Sequence, residues 1–176
     1  DPGGPAIIAD QVPPIVACAS APSGWSASNV TIACTAQDAG SGLADNADAS
    51  FGLTTSVPDG TETDAATTAS RQVCDAAGNC ATAGPITGIK VDRRGPQIAI
   101  TSPADGAQIT QGATVLAAYA CTDAGSGPAT CSGDVAAGQP LPTSTPGAKT
   151  LTVNATDAAG NTSTRSVSYT VVAANA

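Results

Sequence analysis

Asp75-Ala76-Ala77-Gly78-Asn79 and Asp157-Ala158-Ala159-Gly160-Asn161 are the same five residues set 82 positions apart, and they decide how the chain folds. Ahead of them, Cys34-Thr35-Ala36-Gln37-Asp38-Ala39-Gly40-Ser41-Gly42 returns in shorter form as Cys121-Thr122-Asp123-Ala124-Gly125-Ser126-Gly127, which places Asp38 and Asp123 85 positions apart. At the head of the pattern, Asp10-Gln11-Val12-Pro13-Pro14-Ile15-Val16 is echoed by Asp92-Arg93-Arg94-Gly95-Pro96-Gln97-Ile98, again at an offset of 82. Three landmarks in one order describe one module written twice. The copies are expected at residues 10–91 and 92–176, each near the small end of autonomous domain sizes. Residues 1–9 resemble the run-out strand and linker of a preceding copy, so a longer parent array is expected. No basic-then-apolar leader stands at residue 1, which predicts a mature chain or a piece cut from something longer.

Within each copy the apolar residues repeat every second position, the mark of strands with one buried face. Val30, Ile32 and Cys34 share a face, as do Val115, Ala117, Tyr119 and Cys121, then Leu151, Val153 and Ala155, then Val167, Tyr169 and Val171. Turn signals separate them: Pro22-Ser23-Gly24, Pro58-Asp59-Gly60, Asp105-Gly106 and Pro146-Gly147, besides the repeated Asp-rich motifs. About seven short strands fit in a copy of this length. Thr, Val, Gly and Pro interrupt every Ala-rich run, so long helices are not expected. The fold class is therefore all-β, a small antiparallel sandwich repeated in tandem.

Composition bounds the chemistry. The 176 residues weigh 16.8 kDa, so small side chains dominate, and the chain holds one Trp, one Phe, two Tyr and no Met. A thin core follows. With no His and only Glu62 as glutamate, a histidine base, a His-ligated metal and a Ser-His-Asp triad are excluded, and no enzyme is expected. The net charge of −8 argues against nucleic acid or an anionic membrane surface as partner. No apolar run approaches the roughly 20 residues of a membrane helix, so membrane insertion is not expected.

Six cysteines without His or paired C-x2-C spacing read as three disulfides in an extracellular, secreted or cell-surface protein. Cys74 and Cys80 bracket a repeated turn and would close a hairpin. Cys121 and Cys131 are the only pair in the second copy, and Cys34, which aligns with Cys121, is left with Cys18. The Asp-rich turns cap themselves through their own backbone, which explains them without a cofactor. Calcium is the alternative, with Asp38 and Asp75, then Asp123 and Asp157, as its ligands. Trp25 reads as a plug at the end of the core. In a binding role it would act with Phe51, Asp45 and Asp48 as loop contacts for a glycan or a host or cell-surface protein.

Pro22-Ser23-Gly24-Trp25, Cys34 to Leu43, Val73 to Cys80, Gly84-Pro85-Ile86 and Val91-Asp92 together resemble bacterial immunoglobulin-like repeats of secreted and surface proteins. The second copy resembles a sister type, from Pro96 through Tyr119-Ala120-Cys121 and Cys131-Ser132-Gly133 to Tyr169-Thr170-Val171. The resemblance implies two tandem immunoglobulin-like antiparallel β-sandwiches, stapled by disulfides, with no shared catalytic residues. It lacks support at one point: Thr156 and Thr162 stand where Cys74 and Cys80 flank the first copy's turn. The expected function is a non-catalytic spacer that holds adhesive or catalytic domains away from a surface, its partners being neighbouring domains of the same polypeptide. An adhesin or glycan-binding module and a self-associating filament subunit are the alternatives.

Overall fold

The computed structural model describes residues 9–174, so most of the expected linker at residues 1–9 lies outside the described residues. The chain is all-β, with a single 3-10 turn at Asn46–Ala49 as its only helical element among the described residues. The strands are β1 (Ile15–Cys18), β2 (Thr31–Gln37), β3 (Ser50–Thr54), β4 (Glu62–Ala66), β5 (Arg71–Cys74), β6 (Cys80–Ala83) and β7 (Ile89–Asp92). They continue as β8 (Gln97–Ser102), β9 (Ala107–Thr110), β10 (Ala118–Thr122), β11 (Pro128–Gly133), β12 (Gly147–Asp157) and β13 (Thr162–Val172).

Contacts divide the chain into two compact units. Among the described residues, the first comprises 9–24, 28–57 and 63–91, and the second comprises 92–174 together with Trp25–Ala27 and Pro58–Glu62. Two short segments that precede Asp92 in the chain therefore belong by contact to the second unit.

In the first unit β2 lies between β1 and β3, all antiparallel, while β5 pairs with β6 and β4 with β7. Strand β2 shows why the chain extends here: its alternate residues Ile32, Cys34 and Ala36 are buried, and Thr31, Ala33 and Thr35 are exposed. The interior is thin, as composition requires. Ile32, Val57, Ala66, Ile89 and Val91 form one small cluster and Cys34, Leu53 and Ala83 another, with Ile86 packed against both.

In the second unit a four-stranded sheet in the order β11-β12-β13-β9 accompanies the pair β8-β10. Leu151, Val153 and Ala155 of β12 and Val167, Tyr169 and Val171 of β13 face one interior, as the alternation predicts. One pairing differs from a purely antiparallel reading: β9 runs parallel to β13, with Ala107 opposite Tyr169. Side-chain alternation has the same period in both orientations, so the sequence carries no signal for strand direction.

All three expected disulfides are present: Cys18–Cys34, Cys74–Cys80 and Cys121–Cys131. The first two join residues directly opposite on neighbouring strands. Cys121–Cys131 does something different, because β10 and β11 lie in different sheets, so this bond ties the two layers of the second unit together. Replacing both cysteines by serine frees a loop of 10 residues and is expected to lower that unit's unfolding free energy by about 2–3 kcal/mol. The shift in urea midpoint measures it. A second change acts in the opposite direction. Tyr169 is 2% exposed, and its hydroxyl is buried without a hydrogen-bond partner among the described residues. Tyr169→Phe removes that unsatisfied group at nearly constant shape and is expected to raise the melting temperature, through a gain of about 1 kcal/mol.

Candidate functional site

The duplicated motifs of each unit meet in one hydrogen-bonded clasp. In the first unit, Asp38 Oδ1 accepts the Gly42 N–H at 2.8 Å and closes its own loop. The Ser41 N–H of that loop reaches 31 residues back to Asp10 Oδ2 at 2.8 Å, and Ser41 Oγ accepts the Ala77 N–H of the next turn at 3.1 Å. Asp75 Oδ1 accepts the Asn79 N–H at 2.7 Å. The Asn79 side-chain amide donates both to Asp75 Oδ2 at 2.7 Å and to the Asp10 carbonyl at 2.9 Å. Three stretches far apart in the chain are thereby locked at one end of the sheets.

The second unit repeats this bond for bond. Asp123 Oδ1 accepts from Gly127 N at 2.7 Å, Asp92 Oδ2 from Ser126 N at 2.8 Å, and Ser126 Oγ from Ala159 N at 3.1 Å. Asp157 Oδ1 accepts from Asn161 N at 2.8 Å, and the Asn161 amide donates to Asp157 Oδ2 at 2.7 Å and to the Asp92 carbonyl at 2.9 Å. Gly125 permits the approach: a Cβ there would stand 2.7 Å from Asp92 Oδ2 and 3.0 Å from Glu62 Cβ, and one on Gly40 would likewise collide with the Asp10 carboxylate.

The clasp gathers negative charge. Asp10, Asp38 and Asp75 bring carboxylate oxygens within 4.8 Å of one another, and so do Glu62, Asp92 and Asp123. Of the calcium ligands expected from sequence, Asp38 and Asp75 do come together, joined by Asp10. Asp123 instead groups with Asp92 and Glu62, and Asp157 falls outside that group. Asp10 and Asp92 were visible in the sequence only as markers of the repeat. Glu62 carried no signal at all, since no repeated residue predicts that β4 begins beside Asp92.

Hydrogen-bond donors lower the pKa of three acids of the clasps, Asp10, Asp75 and Asp92. N–H bonds from Val12 and Ser41 hold the Asp10 carboxyl below its ordinary pKa. Burial pushes Asp75 up, but the side-chain and backbone N–H groups of Asn79 outweigh it, even against the nearby Asp10 charge, and its pKa ends below the ordinary value. Asp92, 0% exposed, follows the same logic: burial raises it, and bonds from Ser126 and Arg94 more than compensate. An acid whose pKa falls on folding contributes stability that is complete above its unfolded value of about 3.9 and is lost as the pH drops through the folded value. Urea midpoints are therefore expected to be flat near neutrality and to fall steadily below about pH 4, less steeply in Asp92→Asn.

Among the described residues, hydrogen bonds and ion pairs do not join the expected loop contacts, Asp45, Asp48, Phe51 and Trp25, into one cluster. Asp45 caps the 3-10 turn by accepting the Ala47 N–H at 2.9 Å. Asp48 is buried and ion-paired to Arg71 at 2.5 Å, and the Arg71 guanidinium lies 4.8 Å over the Phe51 ring. Phe51 and Asp48 thus hold one another through Arg71. Trp25 is partly buried and belongs to the second unit.

Set against known proteins, the chain matches no protein-family model, and no curated protein matches it closely enough to be a relative. What the structure defines is a class: an all-β, disulfide-stapled chain whose two units each carry the same aspartate–asparagine clasp. Three disulfides suit an oxidising compartment, and no helix among the described residues is long and apolar enough to cross a membrane.

Proposed function

We propose that the chain is a tandem pair of immunoglobulin-like modules that serves as a non-catalytic spacer in a secreted or surface-anchored extracellular protein, with neighbouring domains of the same polypeptide as its partners. The observation that carries this reading is the bond-for-bond duplication of the clasp. In both units the Asp, Ser and Asn side chains spend their hydrogen-bonding capacity on backbone groups of the unit itself, which is what a part copied for rigidity requires. Cross-strand disulfides support the same reading, because they limit how far a stretched unit can lengthen. Single-molecule pulling on the full chain tests it. Two separate unfolding events are expected, each releasing more chain after reduction of the disulfides. Smooth extension without events overturns the reading.

A second reading adds calcium to the same clasp and is favoured by one atom. Glu62 Oε2, beside Asp92 and Asp123, is shielded from solvent and has no hydrogen-bond partner among the described residues. Oxygen-only ligands are the donor set calcium takes. Calorimetric titration with calcium chloride is expected to give saturable heat that Glu62→Gln abolishes. The absence of heat at millimolar calcium contradicts it.

A further inference from the structure

The two units carry the same groove beside their clasps, and its contents differ. In the second unit it is lined by Arg94, Gly95, Gln97, Thr122, Asp123 and Ala124, together with Glu62, and holds ≈ 170 Å³. Counting back along the repeat, those positions other than Glu62 are Val12, Pro13, Ile15, Gln37, Asp38 and Ala39, and these residues line a groove of ≈ 460 Å³ in the first unit. The floor is the same, and among the described residues no loop covers it in the first unit.

The occupant in the second unit is the loop Pro58–Glu62. Gly60 N donates to the Arg93 carbonyl at 3.0 Å, Arg93 N donates to the Thr61 carbonyl at 3.0 Å, and Arg93 is ion-paired to Asp59. Beneath this loop Asp92 is fully buried. In the first unit the counterpart Asp10 is only partly buried, Gln11 in the place of Arg93 is exposed, and Val12 and Ile15 are 64% and 66% exposed.

The chain contains a second loop of the same kind. Gly60, two residues before β4, and Gly147, the first residue of β12, both have positive φ, and aligned on them Lys149 stands where Glu62 stands. Residues 144–148 are exposed, and the Lys149 ammonium reaches no partner firmer than the Thr145 hydroxyl at 3.0 Å. The charges then match. Arg94 lines the groove that holds Glu62, whereas the open groove has Val12 at that position and presents the Asp10 and Asp38 carboxylates with no basic residue among its lining. An uncharged stretch of small residues, Ser144 to Ala148, ending in a lysine fits it.

We propose that the open groove of the first unit seats the Ser144–Lys149 segment of a second copy of this chain, the turn before β12 with that strand's first residues, Lys149 meeting Asp10 and Asp38. Because groove and loop are different surfaces, the contact is heterologous and adds copies head to tail. The proposal rests on reading the two units as copies of one module, but its failure would show as loss of association, whereas failure of the spacer reading would show in pulling.

Sedimentation equilibrium of the full chain in chelator, so that no divalent ion bridges the carboxylates, tests it. The weight-average mass is expected to climb above the monomer's between about 10 μM and 1 mM and to fall back as salt is added. Lys149→Glu is expected to weaken association about tenfold or more, as is Val12→Arg. Together they should restore it, since the pair recreates the Glu62 and Arg94 arrangement of the second unit. Both positions are at the surface, and an unchanged far-ultraviolet spectrum confirms folding. A monomer at every concentration overturns the proposal, and so does association that ignores Lys149→Glu or is not rescued by the double variant.

Discussion

Leu151→Ala is expected to lower the unfolding free energy of the second unit by about 3–5 kcal/mol, toward the upper end of what such truncations cost. Leu151 is 0% exposed on β12, the strand flanked by β11 and β13. Its neighbours in the interior are chiefly Val, Ala and Ile, short side chains with few rotamers, so little can move to fill the space. Ala155 and Ala117 in the same cluster are too short to reach into the gap. The urea midpoint should fall with an unchanged slope, because the unfolded surface is the same. A loss below about 1 kcal/mol would mean that the interior relaxes freely, against the thin, strut-like core argued from composition.

Asp157→Ala is expected to cost about 2–4 kcal/mol in the same unit, as much as a large core truncation although only one carboxylate is removed. Asp157 is 3% exposed and accepts three bonds, from Gly160 N at 2.7 Å, Asn161 N at 2.8 Å and Asn161 Nδ2 at 2.7 Å. Hydrogen bonds to a charged acceptor are the strong kind, and losing it strands donors in a tight turn. The damage should spread, because Asn161 also holds the Asp92 carbonyl. Asp157→Asn keeps the shape and one acceptor and is expected to lose less than half as much. Equal losses in the two variants would place the effect in charge rather than in the bonds.

The parts of this fold that were legible in the sequence are those written locally. The alternation Val167, Tyr169, Val171 announced a buried face, and the turn Asp75 to Asn79 announced the hairpin that Cys74–Cys80 closes. The pairing of Cys18 with Cys34 followed from the register of the two copies. The clasp was half visible: Asp and Asn were marked as turn residues that bond their own backbone, which Asp75 does with Asn79. Its other half was not, because Ser41 meets Asp10 across 31 residues and Asn79 meets Asp10 across 69, and no local pattern encodes contacts at that separation. The parallel seating of β9 on β13 was silent for the reason of period already given. The Phe51–Arg71–Asp48 arrangement was not legible either, because aromatic content alone does not reveal that Arg71 lies over the ring and is itself anchored by buried Asp48.

The claim beneath all of this is that each unit is closed by its clasp and not merely decorated by it. Native-state hydrogen exchange on the full chain reads it directly, at the amides of Ser41 and Asn79 in the first unit and of Ser126 and Asn161 in the second. Exchange only through whole-unit opening is predicted, with protection equal to that of Val73 and Val153 in the respective interiors. Exchange of those four amides at the rate of an exposed loop such as Gly24 would contradict it.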